Sequence, residues 1–142
     1  MKYVSIKGAR KARLKSVKSL NLNALAKAAQ KVYDDWEQDE KGYSEEYGTG
    51  GICQDIASEI ADKLNDKGID CTTVSAQMGE QHVWTVGKFK EGIYEIDIYP
   101  QIYERGGGYT WKKVPRVKFS PSDLIVDMLS PDPEDFDGYC EN

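Results

Sequence analysis

Apolar residues set the frame of this chain before any single residue does. Leu22, Leu25, Ala26, Ala29, Val32, Tyr33 and Trp36 recur at spacings of three and four, which predicts a helix capped by Asn21 or Asn23 and running to about residue 40. A second helix is predicted from Cys53, with Ile56, Ala57, Ile60, Ala61 and Leu64 on one face and Gly68 at its C-terminal end. The period then changes to two. Residues 69–77, 82–89 and 93–99 are rich in β-branched and aromatic side chains and read as three strands, the last two joined as an antiparallel hairpin around Lys90, Glu91 and Gly92. Val83, Thr85 and Gly87 should share one face of the sheet, and His82, Trp84 and Val86 the other.

Outside this frame the pattern thins. Residues 1–18 read as a short strand followed by a basic N-terminal arm, and 41–51 as a loop rich in glycine and tyrosine. Residues 105–108 form a glycine turn, 109–119 suggest edge strands interrupted at Pro115, and Ser120 or Ser122 opens a predicted short helix to Leu129, with Pro121 near its first position. From 131 to 142 the chain is acidic and is expected to be a mobile tail. With 142 residues and no internal repeat, one domain spanning about residues 19–130 is expected, large enough to bury its own core.

Charge changes the picture at one end. The net charge of -5 conceals an N-terminal third, residues 1–33, without an acidic residue, whereas all 24 acidic residues follow from Asp34 onward. Such a segment serves as a basic face complementing the acidic body, as a contact for an acidic partner or nucleic acid, or as a cleaved targeting peptide. No apolar run of about 18 residues exists, so no membrane span is expected. The N-terminus lacks the apolar core of a secretory signal, so a cytoplasmic setting with reduced thiols is expected. Three cysteines and one histidine exclude a complete disulfide framework and argue against a zinc site; no metal or cofactor is expected.

The candidate chemistry lies in Cys53, His82 and Asp97. Cys53 sits in the first turn of its helix, where the helix N-terminus favours a thiolate. His82 is the sole imidazole of the chain, so any histidine-dependent step uses it. Asp97 interrupts the apolar run Ile93, Tyr94, Ile96, Ile98 and Tyr99, and a buried carboxylate there needs a partner, either His82 or a basic side chain. A two-residue turn at Glu91 and Gly92 would pair Asp97 with Val86 and put it on the His82 face; a three-residue loop would put it on the other. Taken singly, each has a structural alternative: Cys53 as a small core residue, His82 as packing, Asp97 in a salt bridge.

The order and spacing of these residues resemble the core of the transglutaminase-like superfamily, a branch of the papain-like cysteine enzymes. There a cysteine opens a helix with small residues and leucine, a Leu-x-x-x-Gly-Ile ending leads to a strand, His-x-Trp opens the next, and an aspartate follows on the strand after. This chain supplies Cys53, Ala57, Ala61, Leu64 to Ile69 (LNDKGI), His82-Val83-Trp84, and YEIDIYP from Tyr94. The resemblance implies an α+β papain-like core, with a catalytic helix packed on a small antiparallel sheet. It also implies Cys53 as nucleophile, His82 as general base and then acid, and Asp97 as the carboxylate that orients it. The expected reaction is cleavage of an amide in a protein or peptide substrate, with transfer to an amine or loss of activity as the alternatives. Calcium dependence is not carried over, because the segment between Cys53 and His82 is short and holds no evident calcium loop. For the oxyanion, Tyr47 with the Cys53 amide is one candidate pair and Gln54 another donor; loop packing of Tyr47 and a solvent-facing Gln54 are the alternatives. Trp84 lines a substrate groove or packs in the core.

Overall fold

The computed structural model describes residues 14–39, 52–76, 82–98 and 118–140. Two helices, α1 (Leu22–Asp39) and α2 (Ile52–Asp66), precede a sheet of strands β1 (Cys71–Ala76), β2 (His82–Phe89), β3 (Gly92–Ile98) and β4 (Leu124–Ser130), and a short helix α3 (Phe136–Cys140) closes the described chain. The sheet is antiparallel throughout, in the order β1-β2-β3-β4. The architecture is thus α+β. The expected loop at 41–51, the N-terminal arm as far as residue 13, the turn at 105–108 and the strands expected from 109 to 117 lie outside the described residues.

Local chemistry explains where the helices begin and end. The Asn21 side chain accepts from the Ala24 amide at 3.0 Å, choosing Asn21 over Asn23 as the cap of α1. At the end of α2 the Ile69 amide reaches back to the Leu64 carbonyl at 3.0 Å, a closure made possible by Gly68 at φ +80°. The apolar stripes of both helices then meet one face of the sheet: Leu25, Ala29 and Tyr33 of α1 and Ile52, Ile56, Ile60 and Leu64 of α2 enclose Phe89, Ile96 and Ile98.

The hairpin turn falls at Lys90 and Glu91, one residue earlier than expected, with Phe89 opposite Gly92. Val86 therefore faces Glu95 rather than Asp97. Because the turn still holds two residues, Asp97 stays on the face of His82.

The segment expected to be helical as far as Leu129 is instead strand β4 from Leu124 to Ser130. Ser120 and Pro121 do begin a turn, in which the Ser120 amide donates to Asp123 at 2.8 Å, but it is a single 3-10 turn over Pro121–Asp123. Beyond it, Leu124 and Val126 sit opposite Ile98 and Ile96 and pack onto the α1/α2 cluster, so alternation across the sheet outweighs local helical pattern.

The C-terminal segment, expected as a mobile tail, is folded from 133 to 140. Pro133 and Phe136 are buried, and Phe136 joins Val86 and Ile93 in a second cluster on the opposite face of the sheet, flanked by Val74, Trp84 and Tyr139. One buried phenylalanine contributes about 1.5–3 kcal/mol toward holding this acidic segment in place. The Ser130 hydroxyl bonds to the Asp135 carboxylate, and Asp132 caps the turn by accepting from the Glu134 amide at 2.9 Å.

Part of the basic N-terminal region is fixed as well. The Lys90 amide donates to the Lys15 carbonyl at 2.8 Å, while Glu91 accepts from the Val17 amide at 2.8 Å and from the Ser16 hydroxyl. These bonds clasp residues 15–17 to the β2–β3 turn. Lys15, Lys18, Lys27 and Lys31 are all exposed.

Candidate active site

Helix α2 is held on β2 by a buried hydrogen bond: the Thr85 hydroxyl donates to the Ala57 carbonyl at 2.7 Å. Farther along, the Cys71 thiol donates to the Ala61 carbonyl at 3.2 Å, and Cys71 pairs with Gly87. Four residues of helix, about 6 Å, thus match two residues of strand, about 7 Å, so α2 and β2 run side by side in the same direction. One turn back from Ala57 is Cys53, and three residues back from Thr85 is His82. The N-terminus of α2 and the start of β2 therefore lie at the same end of the sheet.

At that end His82 and Asp97 meet. Imidazole Nε2 lies 2.6 Å from the Asp97 carboxylate, which keeps only 9% of its side-chain surface exposed, while the His82 side chain keeps 24%. An ionised carboxylate only accepts, so Nε2 donates to it, and in the neutral imidazole the lone pair is on Nδ1. The rings of His82 and Trp84 stack, with centroids 5.7 Å apart and planes 20° from parallel. Asp97 therefore has the partner its position demands, and that partner is His82 rather than a basic side chain.

Cys53 is half-buried in the first turn of α2 and packs against the α1/α2 cluster. The face alternation of β2 separates it from the pair. Thr85 points at α2, and so do Phe89, Ile96 and Ile98; His82, Trp84 and Val86 point the other way, as do Ile93, Glu95 and Asp97. Hence the imidazole and carboxylate occupy the sheet face opposite α2, and no hydrogen bond joins Cys53 to His82 among the described residues. Two of the three expected residues are brought together; the third is level with them along the strand but across the sheet.

Of the remaining candidates, Tyr47 lies outside the described residues and Gln54 is exposed on α2. Trp84 packs against the Val86, Ile93 and Phe136 cluster, and its indole Nε1 is buried without a hydrogen-bond partner among the described residues. Two carboxylates next to the pair were not anticipated. Glu95 shares its face and stands opposite Asp127 on β4. Burial first, then the charges of Asp127 and Asp97, push the Glu95 carboxyl up, with His82 opposing. The signal for Glu95 was its two-residue step from Asp97; Asp127 is placed by the pairing of β4. No group of three or more potential metal ligands occurs among the described residues.

Burial also pushes the Asp97 carboxyl up, while the hydrogen bond and charge of His82 pull it down. Removing the imidazole leaves only the upward push dominant. In His82→Ala the Asp97 carboxyl, followed by carbon NMR, is expected to titrate higher than in the parent, and an unchanged titration would show that the contact is not kept in solution. Since the folded value already exceeds the ordinary 3.8, ionising Asp97 costs stability. That contribution is most favourable below about 3.8 and is lost as pH rises through the folded value.

Cys71 should be an unreactive thiol in the folded protein. Burial, reinforced by the charges of Asp70 and Asp62, pushes the Cys71 thiol up to about 12. Iodoacetamide at pH 8 should leave Cys71 unmodified in the folded protein and label it after unfolding in urea; rapid labelling of the native thiol would contradict its placement under α2.

Comparison with protein-family profiles, curated protein sequences and solved structures returns no match. The residues of the motif and their placement are therefore what the functional reading rests on.

Proposed function

We propose that the chain is a cysteine-dependent amide hydrolase, a peptidase or glutamine deamidase of the transglutaminase-like, papain-like type, with Cys53 as nucleophile, His82 as base and acid, and Asp97 as orienter. The observation that carries this reading is the 2.6 Å contact between His82 and Asp97, in which a buried carboxylate fixes the tautomer of the chain's sole imidazole. Cys53 in the first turn of a helix whose N-terminus lies at the same end of the sheet as that pair supports it. His82 Nδ1 takes the thiol proton, the thiolate sulfur bonds to the amide carbonyl carbon, and the imidazolium returns the proton to the departing amine or ammonia. Water, deprotonated by His82, then adds to the thioester, and collapse releases the acid and the thiolate. An amine in place of water gives cross-linking. For the thiol to reach Nδ1, the first turn of α2 must shift around the end of the sheet.

The test is the pH dependence of iodoacetamide alkylation in the parent and in His82→Ala, with the labelled cysteine located by mass spectrometry. A thiolate at Cys53 persisting below about pH 6 and lost on removing His82 supports the activated pair. An ordinary titration at Cys53 rejects it.

The separation of Cys53 from the imidazole across the sheet favours a second reading, a catalytically silent binding module whose exposed lysines meet an acidic protein or nucleic acid. Lys15, Lys18, Lys27 and Lys31 provide that surface. Under it, affinity for a polyanion such as heparin falls steeply with salt and is unchanged in Cys53→Ala.

A further inference from the structure

We infer that the C-terminal helix α3 is part of the site, acting through Trp84 as a positioning residue for His82. This rests on reading His82 as the base of the site. Three observations connect the elements. The indole of Trp84 stacks on the imidazole, it packs on the cluster formed by Val86, Ile93 and Phe136, and Tyr139 packs on the same cluster. Among the described residues, what bears on the indole is this apolar packing and the imidazole stack.

A ring held by packing takes its orientation in part from what lies behind it. The imidazole is fixed on one side by Asp97 and on the other by Trp84, and the packing behind Trp84 includes a buried residue contributed by the last described helix. Removing Phe136 leaves a void into which the indole can tilt, and the stacked imidazole then loses its alignment with the carboxylate. Neither Phe136 nor Tyr139 touches the reacting groups; their effect passes through Trp84.

The chain has one histidine, so its ring N–H gives a single proton signal, shifted far downfield when it is bonded to a carboxylate. In the full-length parent this signal should be present and slow to exchange, and it should vanish in Asp97→Ala. Phe136→Ala should lose it, or broaden it beyond detection, with amide dispersion and circular dichroism unchanged. Trp84→Ala should lose it too, while Trp84→Phe, which keeps a stacking ring and discards the indole N–H, should retain it. A folded Phe136→Ala with the parent signal overturns the inference. Should Phe136→Ala fail to fold, Tyr139→Ala is judged by the same criterion, since Tyr139 is only partly buried. The signal does not depend on Cys53, so failure of the cysteine reading in the alkylation test and failure of this inference are told apart.

Discussion

Gly92→Ala is expected to lower the stability of the fold by about 3 kcal/mol, combining roughly 1–3 for a side chain in a conformation nearly confined to glycine with roughly 1–3 for overpacking. Gly92 has φ +144°, and a Cβ on it would lie 2.0 Å from the Ser130 carbonyl oxygen and 3.0 Å from Pro131 Cα. Both obstacles are backbone, so no rotamer change relieves them. Gly87 offers the contrast: a Cβ added there would come within 2.8 Å of the Phe89 ring, a side chain rather than backbone, and its φ lies outside the region that favours glycine. Gly87→Ala should cost less. Urea unfolding of both variants checks the order through the midpoint, with the slope unchanged. Equal midpoints for Gly92→Ala and the parent would mean that β4 does not pass over the hairpin as described.

Gly92 matters to the site because the register of the hairpin decides which face Asp97 occupies. A slip by one residue would send the carboxylate into the cluster of Ile96 and Ile98 and leave the imidazole without its partner. The sequence made this legible only up to a parity choice. Both two-residue turns, at Lys90-Glu91 or at Glu91-Gly92, put Asp97 on the correct face, and what selects the first is the contact of Gly92 with a strand more than thirty residues later, which no local pattern contains.

The same division runs through the rest of the fold. Helices α1 and α2 were readable because their apolar period and caps are local properties, as the Asn21 and Gly68 geometries illustrate. Strand β4 was not, because Leu124 and Val126 become strand residues only by pairing with Ile98 and Ile96. The order of the C-terminal segment depends on Phe136 finding Val86 and Ile93 across the sheet. In the site, a partner for Asp97 followed from the cost of burying a carboxylate. Which face α2 would cover did not follow, since it depends on the packing of α2 against Phe89, Ile96 and Ile98, with the Thr85 hydroxyl on the Ala57 carbonyl beside it. That packing, with the alternation of β2, sets the thiol and the imidazole on different sides of the sheet.

Under the proposed hydrolase reading, Asp97→Asn gives the second large effect expected, a loss of amide-hydrolysing activity on the order of 10²- to 10⁴-fold, the usual worth of a positioned acid-base group. The carboxamide fits the same space, but its NH2 can face the ring and donate to Nε2. The imidazole proton then moves to Nδ1, and the lone pair that should receive the thiol proton is gone. Stability should behave differently. Burial already opposes ionisation of Asp97, so a neutral isostere at pH 7 removes a buried charge while retaining a hydrogen bond, and folding should change by no more than about 1 kcal/mol. Hydrolysis of a mixed peptide library, measured by release of ammonia and new amino termini, together with urea unfolding, reads both quantities on one sample. Activity lost with stability kept is the result expected of an orienting carboxylate. Activity in the parent that survives Asp97→Asn and His82→Ala alike would remove the pair from the chemistry and leave it as a structural contact of the sheet.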